Sequence, residues 1–344
     1  MTMTPITSSE ELDEVLSRPT ERVLQALRRT AGDVMILGAG GKLGPTLARM
    51  VRRGFDLIGN RTAQVIAVSR FKTSKARETL EQTGIKTISC DLLDRDSVQR
   101  LPDVRDVLYL VGQKFGTSET PELTWATNCI VPSRVAERFH RSRLVVLSTG
   151  CVYPLVEVNG PGATEQMPLT PPGEYANSCV ARERIFEYYS RQNQTPMIFV
   201  RLCYAIDLRY GVLLDLALNV FHRRPINVEM GSTHVIWQQD ANARIIQALE
   251  HVSTPPAAVN VTGRDRLSIR ALALELGRLL EREVTWSGHE TSTAWLWNAD
   301  RSYDWFGIPD VSIDEMLQAT AEWVKAGRET LDRPTHFDVR DGNF

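Results

Sequence analysis

The chain has 344 residues and a formal net charge of −2, because 40 lysines and arginines nearly balance 42 aspartates and glutamates. This balance argues against a nucleic-acid partner, since domains that bind phosphate backbones usually carry a clear positive excess. The hydrophobic share of 42% excludes wholesale disorder. No segment approaches the ~20 uninterrupted apolar residues that cross a bilayer, and the first residues lack the features of a secretory signal. We therefore expect a cytoplasmic protein that does not bind membranes.

The cysteines and histidines show no arrangement that is typical of a disulfide framework or a metal site. The five cysteines are odd in number and widely spread, and the six histidines do not have metal-ligand spacing. We expect reduced thiols and no bound metal ion.

An N-terminal helical arm is predicted for residues 1–30, since Ser8 and Glu11 have capping-box spacing. After it the pattern changes to short apolar segments, which are typical of strands that are buried on both faces of a parallel sheet. The predicted strands are residues 33–37, 64–68, 86–90, 106–111, 143–147 and 197–202. Helical patterns separate most of them, as at residues 45–53, 74–82 and 128–140. This alternation predicts an α/β protein with a doubly wound parallel sheet.

A glycine-rich loop, G-A-G-G-K-L-G, follows the first predicted strand at residues 38–44. In a dinucleotide site, one glycine allows a tight turn, a second lets the backbone approach a pyrophosphate, and a third lets helix and strand pack closely. An ordinary strand-to-helix turn is the alternative, but the buried strand before the loop and the helix after it favour a coenzyme site. The predicted coenzyme contacts in this loop are Gly38, Gly41, Lys42, Leu43 and Gly44.

The end of the second predicted strand bears on the choice of coenzyme. An NAD site usually has an acidic residue here, which binds the ribose 2′-hydroxyl. The chain has Ser69, Arg70 and Lys72 instead, and no acid. These side chains suit a 2′-phosphate, which favours NADP over NAD, although a solvated basic turn is an alternative explanation.

Further motifs follow in an order that is typical of one enzyme family. They are Asp91-Leu92 after the third strand, S-T-G-C-V-Y-P at 148–154, Y-A-N-S-C-V-A-R-E at 175–183, Arg201 and Asp240. With these motifs the chain resembles, from about Val34 to Trp323, the extended (atypical) short-chain dehydrogenases/reductases, the NAD-dependent epimerases and dehydratases. The resemblance implies that Asp91, with Leu92 beside it, lies next to the adenine of the coenzyme.

The resemblance also implies a domain organisation. Residues 31–202 would form a Rossmann-type dinucleotide-binding domain with a later contribution from about 235–262. Residues 203–234 and 263–344 would form a smaller C-terminal α/β substrate lobe and a tail. A homodimer is common in the family, and the sequence leaves it open here.

In the family, the positions of Thr149 and Tyr175 belong to the catalytic threonine or serine and the catalytic tyrosine. Hydride transfer between a carbinol carbon and a nicotinamide requires that a proton moves to or from the oxygen. A tyrosine phenol can carry this proton if its pKa, ordinarily about 10, is lowered. A hydroxyl such as that of Thr149 can hold the same oxygen in line.

The family's lysine, four residues after the tyrosine, is absent, because position 179 is Cys179. None of the six lysines has a tyrosine four residues before it, so a shifted alignment does not restore the motif. Three interpretations follow. In the first, another cation, Lys114 or Arg182, supplies the missing positive charge. In the second, the phenol reacts slowly without a cation beside it. In the third, the site no longer performs redox chemistry. A nucleophilic or redox-sensing Cys179 thiol is a further hypothesis, but buried cysteines more often only fill apolar space.

The sequence thus predicts an NAD(P)-dependent oxidoreductase or epimerase that acts on a carbinol of a sugar-like small molecule. One alternative is a non-catalytic sensor or scaffold protein that binds the coenzyme. A second alternative is a nucleotide-sugar epimerase. Against it, the positions at which such enzymes hold the substrate diphosphate with Asn and Arg are here Tyr204 and Thr233, which supply no cation.

Overall fold

A computed structural model describes residues 5–30, 32–71, 73–114, 116 and 119–342 of the chain. Its centre is a sheet of seven strands, all parallel, in the order β7-β6-β5-β4-β1-β2-β3. The strands are β1 (Val34–Leu37), β2 (Val65–Ser69), β3 (Lys86–Ser89), β4 (Asp106–Tyr109), β5 (Arg143–Thr149), β6 (Met197–Leu202) and β7 (Ala257–Val261). The predicted doubly wound parallel sheet is therefore confirmed.

Helices cover both faces of the sheet and build the second lobe. In the described residues the α-helices are α1 (Ser9–Leu16), α2 (Glu21–Arg28), α3 (Gly44–Leu57), α4 (Ser74–Glu81), α5 (Arg95–Gln99), α6 (Pro121–Trp125), α7 (Val131–Arg138), α8 (Glu174–Asn193), α9 (Val212–Phe221), α10 (Gln238–Gln247), α11 (Ile269–Leu280), α12 (Asp300–Phe306) and α13 (Ile313–Lys325). Short 3-10 turns lie at Gly150–Val152 and Ala248–His251. None of the helices in the described part of the chain is long and apolar enough to cross a membrane.

The central strands are buried because helices pack on both of their faces. All four residues of Val34–Leu37 and of Asp106–Tyr109 are buried, whereas the edge strand Lys86–Ser89 is partly exposed. The fourth strand ends two residues earlier than predicted. The apolar pair Leu110 and Val111, which prolonged the predicted strand, follows the observed strand and lines a cavity.

A π-helical turn, Ala126–Ile130, joins α6 to α7. The sequence predicts an ordinary helix over residues 128–140 in this region. A π-turn adds one residue to the helical repeat and rotates the side chains that follow it, which often serves a functional site. Asn128 lies in this turn and is completely buried.

The second lobe is built mainly from α9, α11 and α13, whose apolar side chains share one core with Leu12 and Leu16 of the N-terminal arm. Outside the central sheet the chain forms pairs of two-residue strands, among them Ala205–Ile206, which pairs with Ile236–Trp237. The others are Val156–Glu157, Ile226–Asn227, Ser232–Thr233, Leu267–Ser268, Trp286–Ser287 and Thr293–Ala294. The tail, residues 327–342, runs across the lobe towards the start of α8, where the backbone of Gly342 packs against Gly173. The domain boundaries at residues 30, 202, 234 and 262 remain predictions.

Candidate active site

A cavity of about 270 Å³ lies at the carboxyl edge of the sheet, next to β1 and β4. The strand order reverses between these two strands, and the crevice at such a reversal is where doubly wound sheets bind ligands. Residues from the glycine loop, from the end of β5, from α8 and from the second lobe all line it. The lining includes ten residues that the sequence analysis names individually: Gly38, Gly41, Lys42, Leu43, Gly44, Lys114, Thr149, Tyr175, Arg182 and Tyr204.

The glycine loop has the geometry of a phosphate cradle. Gly38 has a φ of +87°, in the left-handed region that favours glycine. A Cβ atom on Gly44 would lie 2.3 Å from the carbonyl oxygen of Ala39, so only glycine lets the first turn of α3 pack this closely. Because the loop leads directly into the N-terminus of α3, its backbone fits a bound pyrophosphate.

The other predicted coenzyme contacts lie outside the cavity. Ser69 ends β2, and a Cβ atom on Gly40 would lie 2.5 Å from its hydroxyl oxygen, so Ser69 borders the loop. Arg70 and Asp91 are exposed, whereas the Leu92 side chain is buried in the core of the sheet. Only the backbone of Leu92 is therefore accessible to a ligand. Lys72 lies outside the described residues.

Tyr175 and Thr149 meet inside the cavity. Tyr175 is in the first turn of α8 and is only 7% exposed. Its side chain shares a hydrogen bond with that of Thr149, which ends β5. Burial raises the pKa of the Tyr175 phenol well above its ordinary value, and the nearby Cys179 and Cys151 add to this increase. The Arg182 charge and the Thr149 hydrogen bond act in the opposite direction.

Cys179 occupies the place of the missing lysine and is completely buried. Burial raises the pKa of its thiol, so the group is neutral near pH 7. The thiol is hydrogen-bonded to the Tyr175 side chain. Cys179 therefore contacts the predicted catalytic phenol without supplying a positive charge.

Arg182 supplies a buried positive charge close to this pair. Its side chain lines the cavity, is 4% exposed, and lowers the pKa of both the Tyr175 phenol and the Cys179 thiol. One guanidinium nitrogen donates to the carbonyl oxygen of Leu147 at 3.1 Å. Gly112 gives the guanidinium room, because a Cβ atom there would lie 2.6 Å from Nη2.

Asn128 holds the guanidinium from the other side. Its Oδ1 accepts a hydrogen bond from Arg182 Nη2 at 2.6 Å and another from the backbone N–H of Gln113 at 3.1 Å. Its Nδ2 donates to Ser178 Oγ at 2.8 Å, and this hydroxyl donates to the carbonyl oxygen of Tyr175 at 2.7 Å. The π-turn thus connects the cation to the backbone that carries the phenol.

A buried ion pair fixes α8 against the sheet. Arg201 donates from Nε and Nη2 to the two carboxylate oxygens of Glu183, at 3.0 and 2.6 Å. Ser148 Oγ donates to the same carboxylate at 2.5 Å, which positions the end of β5 next to Thr149. Arg201 Nη1 also donates to the Tyr153 hydroxyl at 2.6 Å. Motif positions that are far apart in the sequence therefore form one buried network.

Two lysines of the cavity lining contact Tyr210. The ammonium group of Lys42 lies 4.5 Å from the centre of the Tyr210 ring and donates to the carbonyl oxygen of Ala205 at 2.7 Å. Lys114 donates to the Tyr210 hydroxyl and to the carbonyl oxygen of Thr335, both at 3.4 Å. Lys114 thus lies in the cavity but is directed towards the tail.

The two positions that would hold a substrate diphosphate are unsuited to it. Thr233 is 1% exposed, and its hydroxyl donates to the carbonyl oxygen of His234. The Tyr204 hydroxyl is buried, and its ring packs edge-on against Trp297. Neither side chain points a cation into the cavity. Within the described residues, no group of three or more His, Cys, Asp and Glu side chains could hold a metal ion.

The fold and this site define a nucleotide-binding enzyme of the extended short-chain type. The model of the NAD dependent epimerase/dehydratase family matches residues 34–206, which is half of the chain. The chain therefore belongs to the NAD-dependent epimerase/dehydratase family, and the resemblance inferred from its motifs is confirmed. No curated protein sequence matches the chain significantly.

Solved structures of this family share the fold. UDP-glucose 4-epimerase from Thermus thermophilus, in complex with NAD, is 18% identical with a TM-score of 0.70, and the match covers 85% of this chain and 99% of that one. UDP-glucuronic acid 4-epimerase from Bacillus cereus, in complex with UDP-glucuronic acid and NAD, is 17% identical with a TM-score of 0.70. The match covers 85% of this chain and 99% of that one. The epimerase Mth375 from Methanothermobacter thermautotrophicus is 18% identical with a TM-score of 0.70, with 90% and 96% covered.

Proposed function

We propose that the chain is an NAD(P)-dependent epimerase or oxidoreductase that acts on a carbinol of a sugar-like substrate. The observation that supports this most strongly is the Tyr175 phenol, hydrogen-bonded to Thr149 in a cavity that begins at the glycine loop. The loop backbone at Gly38, Gly41 and Gly44 would hold the coenzyme pyrophosphate. When bound, the nicotinamide supplies hydride acceptance and donation.

In this proposal Tyr175 moves the proton. As the phenolate, Tyr175 takes the proton of the substrate hydroxyl when the carbinol is oxidised, and as the neutral phenol it returns that proton to the oxygen when the carbonyl is reduced. Thr149 donates to or accepts from the same substrate oxygen and so fixes its position. Burial opposes this role because it raises the pKa of the phenol, and Cys179 and Cys151 add to the increase. The site therefore needs a compensating cation.

Arg182 is the proposed compensating cation. In the family a lysine one helical turn after the tyrosine has this role. Here the small, neutral Cys179 occupies that turn, and the Arg182 guanidinium lies in the space that Gly112 leaves open. Arg182, rather than Lys114, is the charge that lowers the pKa of Tyr175. We assign Arg182 a positioning and electrostatic role, since it acts through Tyr175.

We further propose that NADP is preferred over NAD. Arg70 is exposed at the end of β2, and Ser69 borders the glycine loop. A guanidinium in this place suits a 2′-phosphate. Calorimetric titration with both coenzymes tests this preference: Arg70→Ala should weaken NADP binding at least tenfold and leave NAD binding unchanged. Equal effects on both coenzymes would contradict the assignment.

A nucleotide-sugar epimerase is the second candidate. The observation in its favour is a separate cavity of about 450 Å³ between α9 and the tail, whose lining contains Arg209, Arg224 and Arg333, together with Asp215, Asp332 and Asp338. The solved relatives described above include complexes with a UDP-sugar. Thermal shift with UDP- and GDP-sugars tests this candidate, since a ligand at a hundred times its dissociation constant stabilises by about 2.7 kcal/mol. The buried, uncharged Tyr204 and Thr233 argue against it.

A coenzyme-binding sensor or scaffold is the remaining alternative, and it is motivated by Cys179. The decisive comparison is between the wild type and Tyr175→Phe, assayed with the coenzyme and a panel of sugars and sugar acids. We expect the variant to lose at least about tenfold in turnover, because general acid–base groups typically contribute 10²–10⁴-fold. Tight coenzyme binding without hydride exchange in the wild type would favour the sensor.

A homodimer is proposed from exposed apolar side chains on neighbouring helices. Leu123, Trp125 and Ile130 are 37–46% exposed on the segment from α6 to the π-turn, and Tyr188 is 61% exposed on α8. Light scattering after gel filtration tests this proposal. We expect twice the chain mass for the wild type and the single mass for Ile130→Glu.

A further inference from the structure

The Lys42 side chain leaves the coenzyme loop and reaches the second lobe. The loop backbone remains available for a pyrophosphate, whereas the ammonium group contacts Ala205 and Tyr210, which both follow β6. Lys42 therefore joins the two parts of the molecule across the cavity that contains Tyr175.

No carboxylate forms a close ion pair with Lys42 in the described residues, although Asp207 attracts its charge from a longer distance. Among the residues that the structure describes, its ammonium group has a carbonyl oxygen and an aromatic ring as partners, and no ion pair within 4 Å. The nearby Asp207 carboxylate accepts a hydrogen bond from the backbone N–H of Arg209 at 2.7 Å. Lys42 is half-buried, and partial removal of a charge from water without a close partner of opposite sign is costly, so this position favours an anionic ligand.

Lys114 brings a second ammonium group to the same place. It lies at the hydroxyl end of Tyr210, whereas Lys42 lies over the face of the ring. The chain contains only six lysines, and two of them line this one cavity. Such a concentration of one rare residue type beside Tyr175 indicates recognition of negative charge.

The tail fixes Lys114 from the lobe side. The carbonyl oxygen of Thr335 accepts a hydrogen bond from Lys114. The Asp215 carboxylate in turn accepts hydrogen bonds from the backbone N–H of Thr335 at 2.8 Å and from its hydroxyl at 2.5 Å. Phe337 anchors this part of the tail in the lobe core. Both lysines are thus half-buried and hydrogen-bonded to the chain rather than extended into solvent.

We propose that Lys42 and Lys114 bind an anionic group of the substrate, so that the substrate is an acidic sugar with a carboxylate or a phosphate. This inference rests on the proposed function, because it places the neutral carbinol end of the same molecule at Tyr175 and Thr149. The coenzyme pyrophosphate is the other possible source of an anion, and the test must separate the two.

The test is calorimetric titration of the NADP-saturated or NAD-saturated protein with D-glucuronate, D-glucose 6-phosphate and neutral D-glucose. We expect at least one of the acids to bind at least tenfold more tightly than glucose. Lys42→Met and Lys114→Met should each weaken binding of that acid at least tenfold, whereas Lys42→Arg should retain it. Lys325→Met is the matched control, since Lys325 lies on α13 with its ammonium group near Glu281.

Several results would overturn the inference. They are equal binding of glucose and the acids, no binding of either acid at millimolar concentration, and displacement of the acids by the coenzyme. A loss of coenzyme affinity in Lys42→Met as large as the loss of acid affinity would assign the lysine to the pyrophosphate instead. Tyr175→Phe separates this inference from the proposed function: acid binding should persist in that variant while turnover is lost.

Discussion

The guanidinium of Arg182 donates a hydrogen bond at 2.6 Å to the Oδ1 atom of Asn128, which belongs to the π-helical turn Ala126–Ile130. The same guanidinium lowers the pKa of Tyr175. Position 179, where the family has a lysine, holds a neutral thiol. We interpret these features together as a replacement of the family's lysine. The positive charge near Tyr175 comes from Arg182, one helical turn further along α8. The proposed acid–base role of Tyr175 depends on whether the Arg182 charge can replace the charge of that lysine.

Removal of the Arg182 charge should shift the pH dependence of turnover. In Arg182→Met the phenol of Tyr175 loses its nearest cation, so the limb of the pH profile for carbinol oxidation should move to higher pH by about one unit, with about tenfold lower turnover near pH 7. Arg182→Lys should restore part of the effect. An unchanged pH limb, accompanied only by a lower melting temperature, would assign Arg182 a purely structural role.

Gly112→Ala should displace the guanidinium without removing it. The added methyl group would lie 2.6 Å from Arg182 Nη2, so the side chain must move. We expect turnover to fall several-fold, while NADP and NAD affinities measured by calorimetry stay close to those of the wild type. Gly231→Ala is the control, because the atoms nearest to its Cβ would belong to the flexible side chain of Glu290, at 3.1 Å or more. Wild-type turnover in Gly112→Ala would argue against the role of Arg182.

Gly44→Ala should disturb the phosphate cradle itself. Its Cβ would lie 2.3 Å from the backbone oxygen of Ala39, which cannot rotate away. We expect the free energy of unfolding in urea to fall by about 1–3 kcal/mol and coenzyme affinity to fall at least tenfold. Gly40→Ala offers a comparison, since the obstacle there is the Ser69 hydroxyl, a side chain that can change rotamer. Equal effects of the two substitutions would contradict the geometry.

The buried pair of Glu183 and Arg201 should be important for stability. Glu183→Gln leaves the Arg201 charge without its bidentate partner, and breaking a buried pair in this way costs about 3–5 kcal/mol. Urea unfolding measures this change. The exposed pair of Glu275 and Arg278, at 2.6 Å, is the matched control, because Glu275→Gln should cost less than about 1 kcal/mol. A small loss in Glu183→Gln would indicate that Arg201 finds another partner.

Binding of an acidic ligand should weaken as the pH rises above about 8. Desolvation lowers the pKa of Lys42 to about 8, with Asp207 acting against this shift and Lys114 and Arg209 adding to it. An anion binds the charged lysine, so its affinity is full below this pKa and is lost above it. Between pH 7 and pH 9 we expect about tenfold weaker binding.

Lys42→Arg is the control for this pH dependence, because a guanidinium keeps its charge throughout the range. Its affinity for the acid should stay constant between pH 7 and pH 9. The same decline in Lys42→Arg as in the wild type would show that another group controls the binding.

The sequence predicted the sheet because buried strands and helices have different periods, and the six predicted strands appear within two residues of their observed ends. The family resemblance also implied that Gly38, Thr149 and Tyr175 belong to one site, and all three line the same cavity. Asn128 was not predicted, because a buried polar residue in a π-turn leaves no periodic signal.

The role of Arg182 could be only partly foreseen. Its spacing from Tyr175 placed the two residues on one helical face, but the direction of the guanidinium depends on the space at Gly112 and on Asn128. The contact between Lys114 and Thr335 was equally hidden, because it joins residues that are 221 positions apart. Such contacts follow from packing rather than from local pattern.

The central claim is that the cavity between the glycine loop and Tyr175 receives a nicotinamide coenzyme. Calorimetric titration of the folded wild-type chain with NADP and NAD, in oxidised and reduced form, tests it most directly. We predict saturable binding of one coenzyme per chain, and at least tenfold weaker binding in Gly44→Ala. Absence of binding heat with all four coenzyme forms, at two temperatures and with the fold verified by circular dichroism, would contradict the claim.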